Sequence, residues 1–160
     1  MAEIFEERVV TAPAHEAVRV LREPGEWLEQ AAEAAGHGGE AVTARMRSQL
    51  SRGGLRVKVS KRVQVEVGNV TRVGDHFVVP ITWQASGFAG LFPVMDAILE
   101  VHPAGREQAR MVFWGRYDPP LGRMGDLVDR FIAHEAAQSS VRVLLSAIGQ
   151  RAEEHMAQSA

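Results

Sequence analysis

The chain has 160 residues, enough for one domain with one core, and 46% of them are hydrophobic, which can fill an interior and also line a cavity. A net charge of -2 and aromatics at only 6% argue against nucleic acid as a partner, and the absence of cysteine excludes disulfides, thiolate nucleophiles and cysteine-ligated metals. No apolar run reaches the ~20 residues of a membrane-spanning helix, and the start MAEIFEERVV has acids where an export signal has basic residues. A cytoplasmic protein with at most peripheral membrane contact is expected.

Residues Ile4 to Val10, β-branched and aromatic, predict a first strand that ends at Thr11-Ala12-Pro13, where proline suits the first turn of a helix. From Ala14 to Glu23, His15, Val18 and Leu21 share a face. Pro24-Gly25 interrupts, and Trp27, Leu28, Ala31 and Ala32 resume helical spacing up to the glycines at Gly36, Gly38 and Gly39. Two short helices are predicted.

The period then becomes two. Val42, Ala44, Met46, Ser48 and Leu50 alternate with Arg45, Arg47 and Gln49, and after a turn at Gly53-Gly54 the parity continues from Leu55 to Val67. Seven basic residues and no acid lie between Glu40 and Glu66, so this predicted hairpin is positive on an otherwise acidic chain. Such a face blunts edge pairing or is simply solvated, and it would also attract anionic headgroups or an acidic partner. A turn at Val73-Gly74-Asp75 leads to a strand with Phe77, Val79, Ile81 and Trp83 on one face. Two further strands have inward candidates Met95, Ala97, Leu99 and Val101, then Met111, Phe113, Gly115 and Tyr117, with Pro103-Ala104-Gly105 between them. From about Leu121 to Met156 there is no proline, and one long helix is predicted. Its apolar stripe rotates: Met124, Leu127, Val128, Phe131 and Ile132 share one face, whereas Val141, Leu144, Leu145 and Ile148 centre about a quarter turn away. Between them lies a weakly apolar stretch from His134 to Ser140, which would suit a helix packed at both ends and facing a cavity in its middle.

Strand, two short helices, a run of about five antiparallel strands and one long helix form the order of the helix-grip fold, an α+β arrangement. Over nearly its whole length the chain resembles the START-like (SRPBCC) superfamily, which includes polyketide cyclases, Bet v 1-like plant pollen allergens and lipid-transfer domains. The segment from Gly115 to Gly122, with Asp129, Arg130 and His134 beyond it, is similar to the strand-to-helix junction of bacterial members. The resemblance implies a single domain over 1–160, in which a curved antiparallel sheet of about six to seven strands wraps the C-terminal helix. It names no reaction, because the superfamily holds both enzymes and carriers.

No phosphate-binding loop, nucleophile elbow or dinucleotide fingerprint is present, and no two of the six histidines have the i, i+4 or His-x-His spacing of a metal pair. Neither a cofactor nor a metal is expected. The pocket wall predicted from strand parity comprises Trp83, Met95, Leu99, Met111, Phe113 and Tyr117, joined by Phe131 from the helix. His134 and Gln138 would supply polar contacts to an otherwise apolar ligand. His134 with Tyr117 would also suit acid–base work on an enolisable polyketide, provided the two meet. Strict alternation points Lys61 into the pocket, whereas a β-bulge near it would turn it outward. Phe88, Leu91 and Phe92 lie on a glycine-flanked loop, readable as a lid, as a plug under the core or as a membrane wedge. Three functions follow: a binder of a small hydrophobic molecule, a cyclase or aromatase, and an interaction module whose cavity has collapsed.

Overall fold

The computed structural model describes residues 1–36, 62–86, 94–118 and 127–159. Strand β1 (Ala2–Val10) leads to helix α1 (Ala14–Arg22) and a second helix, α2, over 26–36. Strands β2 (Arg62–Val67), β3 (Thr71–Val73), β4 (His76–Ser86), β5 (Met95–Pro103) and β6 (Ala109–Tyr117) follow, and helix α3 (Leu127–Ser159) closes the chain. The strands form an antiparallel sheet of order β1-β6-β5-β4-β2, with β3 also paired to β4. This is the predicted α+β helix-grip arrangement. The predicted strand from Leu55 is described only from Arg62, and the predicted hairpin before it, Lys61 and the loop with Phe88, Leu91 and Phe92 all lie outside the described residues.

Period two decides which side chains enter the core. On β5, Met95, Ala97, Leu99 and Val101 are buried, while Asp96 and Ile98 between them are exposed. Register then stacks the inward residues into rows across the sheet. One row runs Ala2, Tyr117, Met95, Trp83, Val65; another contains Phe113, Leu99 and Val79. The predicted parity holds on β2, β4 and β5, and on β6 apart from Val112, which is also buried. β3 escaped it, because a break at Gly68, whose amide donates to the Pro80 carbonyl at 2.8 Å, separates two short strands opposite one long one. The turn from β3 into β4 uses Gly74 at φ 62, a left-handed backbone that glycine adopts without a Cβ clash.

Helix α1 buries Ala14, Ala17, Val18 and Leu21, and α2 buries Leu28, Ala31, Ala32 and Ala35. Both are single apolar stripes at helical spacing. In α3 the stripe Val141, Leu144, Leu145, Ile148 and Ala152 is buried, each large member contributing roughly 1.5–3 kcal/mol relative to exposure. The helix approaches β1 closely at Gly149, where an added Cβ would stand 2.5 Å from Val10 Cγ1. Polar ties flank this contact: Arg142 Nε donates to Glu6 Oε1 at 3.0 Å, and the Thr11 amide donates to Glu153 at 3.0 Å. The stretch from His134 to Ser140 is more closely packed than its composition suggests. Ala136, Ala137 and Ser140 are buried, and the Ser140 hydroxyl donates to the Ala35 carbonyl at 2.8 Å, pinning the last turn of α2.

The convex face of the sheet is also patterned. Phe5, Trp114 and Ile98 form an exposed apolar row over a shallow groove of about 630 Å³, with Phe5 and Trp114 edge-to-face at 4.6 Å. Glu3, Arg116 and Asp96 form the charged row beside it. Among the described residues, no helix is long and apolar enough to cross a membrane.

Candidate functional site

Tyr117 is the last residue of β6, and the inward parity of that strand buries its ring to 3% exposure between Ala2 and Met95. His134 lies seven residues before Val141, so two turns place it on the same inward stripe of α3. The strand end and the helix thereby bring the two side chains together: Tyr117 Oη stands 3.0 Å from His134 Nδ1, with ring centroids 6.4 Å apart and planes at 24°. When the phenol donates to Nδ1, the imidazole carries its own proton on Nε2, which is left free to donate further. Burial raises the Tyr117 pKa above 10.0, so the phenol stays protonated throughout the physiological range.

The neighbouring wall is apolar. Met95 and Trp83, 3% and 2% exposed, continue the Tyr117 row across β5 and β4. Beside them β6 has Gly115, and Met95 folds over it: an added Cβ there would meet the Met95 sulfur at 2.6 Å. The unbranched thioether above a glycine is an adaptable part of this wall.

The other predicted site residues divide. Leu99, Met111 and Phe113 are on the inner face and buried, as are Trp83, Met95 and Tyr117. Gln138 is half-buried one turn beyond His134. The expectation that Phe131 stands against the pocket wall is not met. It is 57% exposed, because it lies about a quarter turn off the stripe that contains His134 and Val141.

Sequence reasoning passed over two further polar contacts. Glu16, buried on α1, accepts from His155 Nδ1 at 2.8 Å and lies 3.5 Å from His15. On the convex face, His76, Glu100 and His102 converge. Glu100 and His102 are two apart on one strand, which was a readable signal for a shared face, but His76 joins them only through the β4–β5 register.

Curved sheet, long helix and two short helices define a helix-grip fold. Solved structures agree on that fold. A Thermus thermophilus protein matches with TM-score 0.53 at 18% identity, covering 99% of this chain and 100% of its own. The Zhui aromatase/cyclase of a Streptomyces species matches with TM-score 0.51 at 12% identity over 97% of this chain and 95% of its own. A conserved protein of Geobacillus kaustophilus matches with TM-score 0.52 at 10% identity, covering 99% and 97%. No protein-family pattern and no curated protein matches the sequence.

Proposed function

We propose that the chain binds one small, mainly apolar molecule between the inner face of the sheet and α3, beside Trp83, Met95 and Tyr117, with the Tyr117–His134 pair as its polar contact. The observation that carries this reading is the 3.0 Å contact between a buried phenol and a half-buried imidazole at the end of an apolar wall. Small-molecule sites are built in this manner, from apolar surface with a few convergent polar groups.

The same contact favours a second reading, acid–base chemistry of the aromatase/cyclase kind, and one fold neighbour has that activity in its name. In the other tautomer, with Nδ1–H donating to Tyr117 Oη, Nε2 can take a proton from an enolisable carbon while the phenol donates its own proton to the neighbouring oxygen. Both readings start from a bound guest. Mass spectrometry of small molecules released on denaturing gently purified protein, against a same-size control, tests for one. A single apolar species near one per chain is the expected result, and Tyr117→Phe should weaken rebinding. If nothing is enriched, and tryptophan fluorescence also ignores a panel of fatty acids and polycyclic aromatics, the binding reading fails. Turnover of a polyketide analogue that Tyr117→Phe abolishes with binding retained would establish the enzyme.

A further inference from the structure

The convex face of β4 and β5 has a polar constellation that the Tyr117 site does not use. His102 Nε2 lies 2.7 Å from Glu100 Oε2, and the His102 ring stacks on that of His76 with centroids 4.4 Å apart and planes at 19°. One ligating atom from each of His76, Glu100 and His102 falls within 4.8 Å of the other two. All three residues are half-buried. Two of them come from one strand, and the third opens β4 immediately after the Gly74 turn, so the backbone beneath them is braced by sheet pairing. Asp75 Oδ1 stands 3.4 Å from His76 Nδ1. When Nδ1–H donates to that carboxylate, Nε2 keeps its lone pair, as in carboxylate–histidine–metal arrangements.

We propose that His76, Glu100 and His102 bind one divalent transition metal of the zinc class, with a fourth position open to water or an outside ligand. Two imidazoles and one carboxylate are the donor set of open zinc sites, whereas magnesium and calcium prefer oxygen alone. Ligand atoms around a tetrahedral ion at about 2.0–2.1 Å stand roughly 3.3 Å apart. Closing the present cluster to that size requires the ligand atoms, now within 4.8 Å of one another, to draw together and the stacked rings to turn about their side-chain bonds until both lone pairs converge. Charge favours a cation, since Glu100 and Asp75 face the rings. Arg110, the cross-strand partner of His102, lies 3.5 Å from Glu7, its own counter-charge. A bound ion would clip β4 to β5 beside the β3–β4 turn.

The test is competition between untagged protein and a chromophoric chelator for Zn²⁺, with Co²⁺ as a spectroscopic stand-in. One ion per chain is expected, with affinity reduced about tenfold or more in His76→Gln and in His102→Gln. His15→Gln, which removes an exposed imidazole on α1, should bind like the wild type. Histidine ring resonances of the wild-type chain give a reading independent of any variant's folding: Zn²⁺ should shift those of His76 and His102. Absence of stoichiometric binding overturns the proposal. So does equal affinity in the His76→Gln/His102→Gln double variant, or Zn²⁺-induced shifts confined to other histidines.

Discussion

Replacing Tyr117 by phenylalanine deletes one oxygen and leaves the ring in its place between Ala2 and Met95, so the substitution isolates the bond to His134. An intramolecular hydrogen bond contributes about 0.5–1.5 kcal/mol net, and orphaning a fully buried acceptor costs about 1–3 kcal/mol. His134 is only half-buried, so water can take the place of the hydroxyl at Nδ1, and a loss near 1 kcal/mol is expected at neutral pH. With a urea m-value of about 2 kcal/mol/M, the midpoint should fall by about 0.5 M. The pH dependence has a definite sign. Burial raises the folded-state phenol pKa above its ordinary 10.0, so the folded chain holds this proton more tightly than the unfolded chain does. That contribution is fully present below pH 10.0 and is lost as pH rises through the folded value. The wild-type advantage over Tyr117→Phe should therefore shrink above pH 10.0. Tyr117 is the single tyrosine of the chain, so its phenolate absorbance can be titrated directly. A midpoint at or below 10.0, or a urea gap constant across the alkaline range, would refute the reasoning.

Gly149→Ala should destabilise the chain although alanine is the better helix former. About 1 kcal/mol of propensity is gained, but a Cβ 2.5 Å from Val10 Cγ1 forces overpacking of about 1–3 kcal/mol against a β-branched side chain with little freedom to turn. Val10→Ala in the same chain should relieve the clash, giving a coupling above about 0.5 kcal/mol in a double-mutant cycle; simple additivity would contradict the close approach. Ser140→Ala removes the hydroxyl that donates to the Ala35 carbonyl, at about 0.5–1.5 kcal/mol. Amide hydrogen exchange should then accelerate in α2 more than in β5 or β6, and unchanged α2 protection would show that the bond does not pin that helix.

Much of this architecture was legible because side-chain periodicity and burial share a cause. On β5, Met95, Ala97, Leu99 and Val101 alternate with polar or exposed residues in the sequence, and in the structure they are the buried ones. Pairing register is a long-range property, and no local pattern shows that Tyr117, Met95 and Trp83 form one row. The Tyr117–His134 contact was conceivable from composition alone. It became definite only when the direction of α3 across the sheet was known. Phe131 shows the opposite failure: hydrophobicity recommended it, but helix phase turned it outward.

Histidine spacing did not reveal the His76–Glu100–His102 cluster, for a related reason. A search for His pairs at i, i+4 or as His-x-His assumes that both ligands come from one element, as on a helix or a single strand. In an antiparallel sheet the nearest same-face neighbours of a residue lie on the adjacent strands as well as two positions along its own. Glu100 and His102 obey the second relation and His76 the first, so the cluster is invisible to one-dimensional spacing and plain once β4 and β5 are aligned. The same alternation that gives Leu99 and Val101 to the core gives Glu100 and His102 to the convex face. One strand thus serves two chemistries on opposite sides, and each side can be altered without changing the side chains that pack the other.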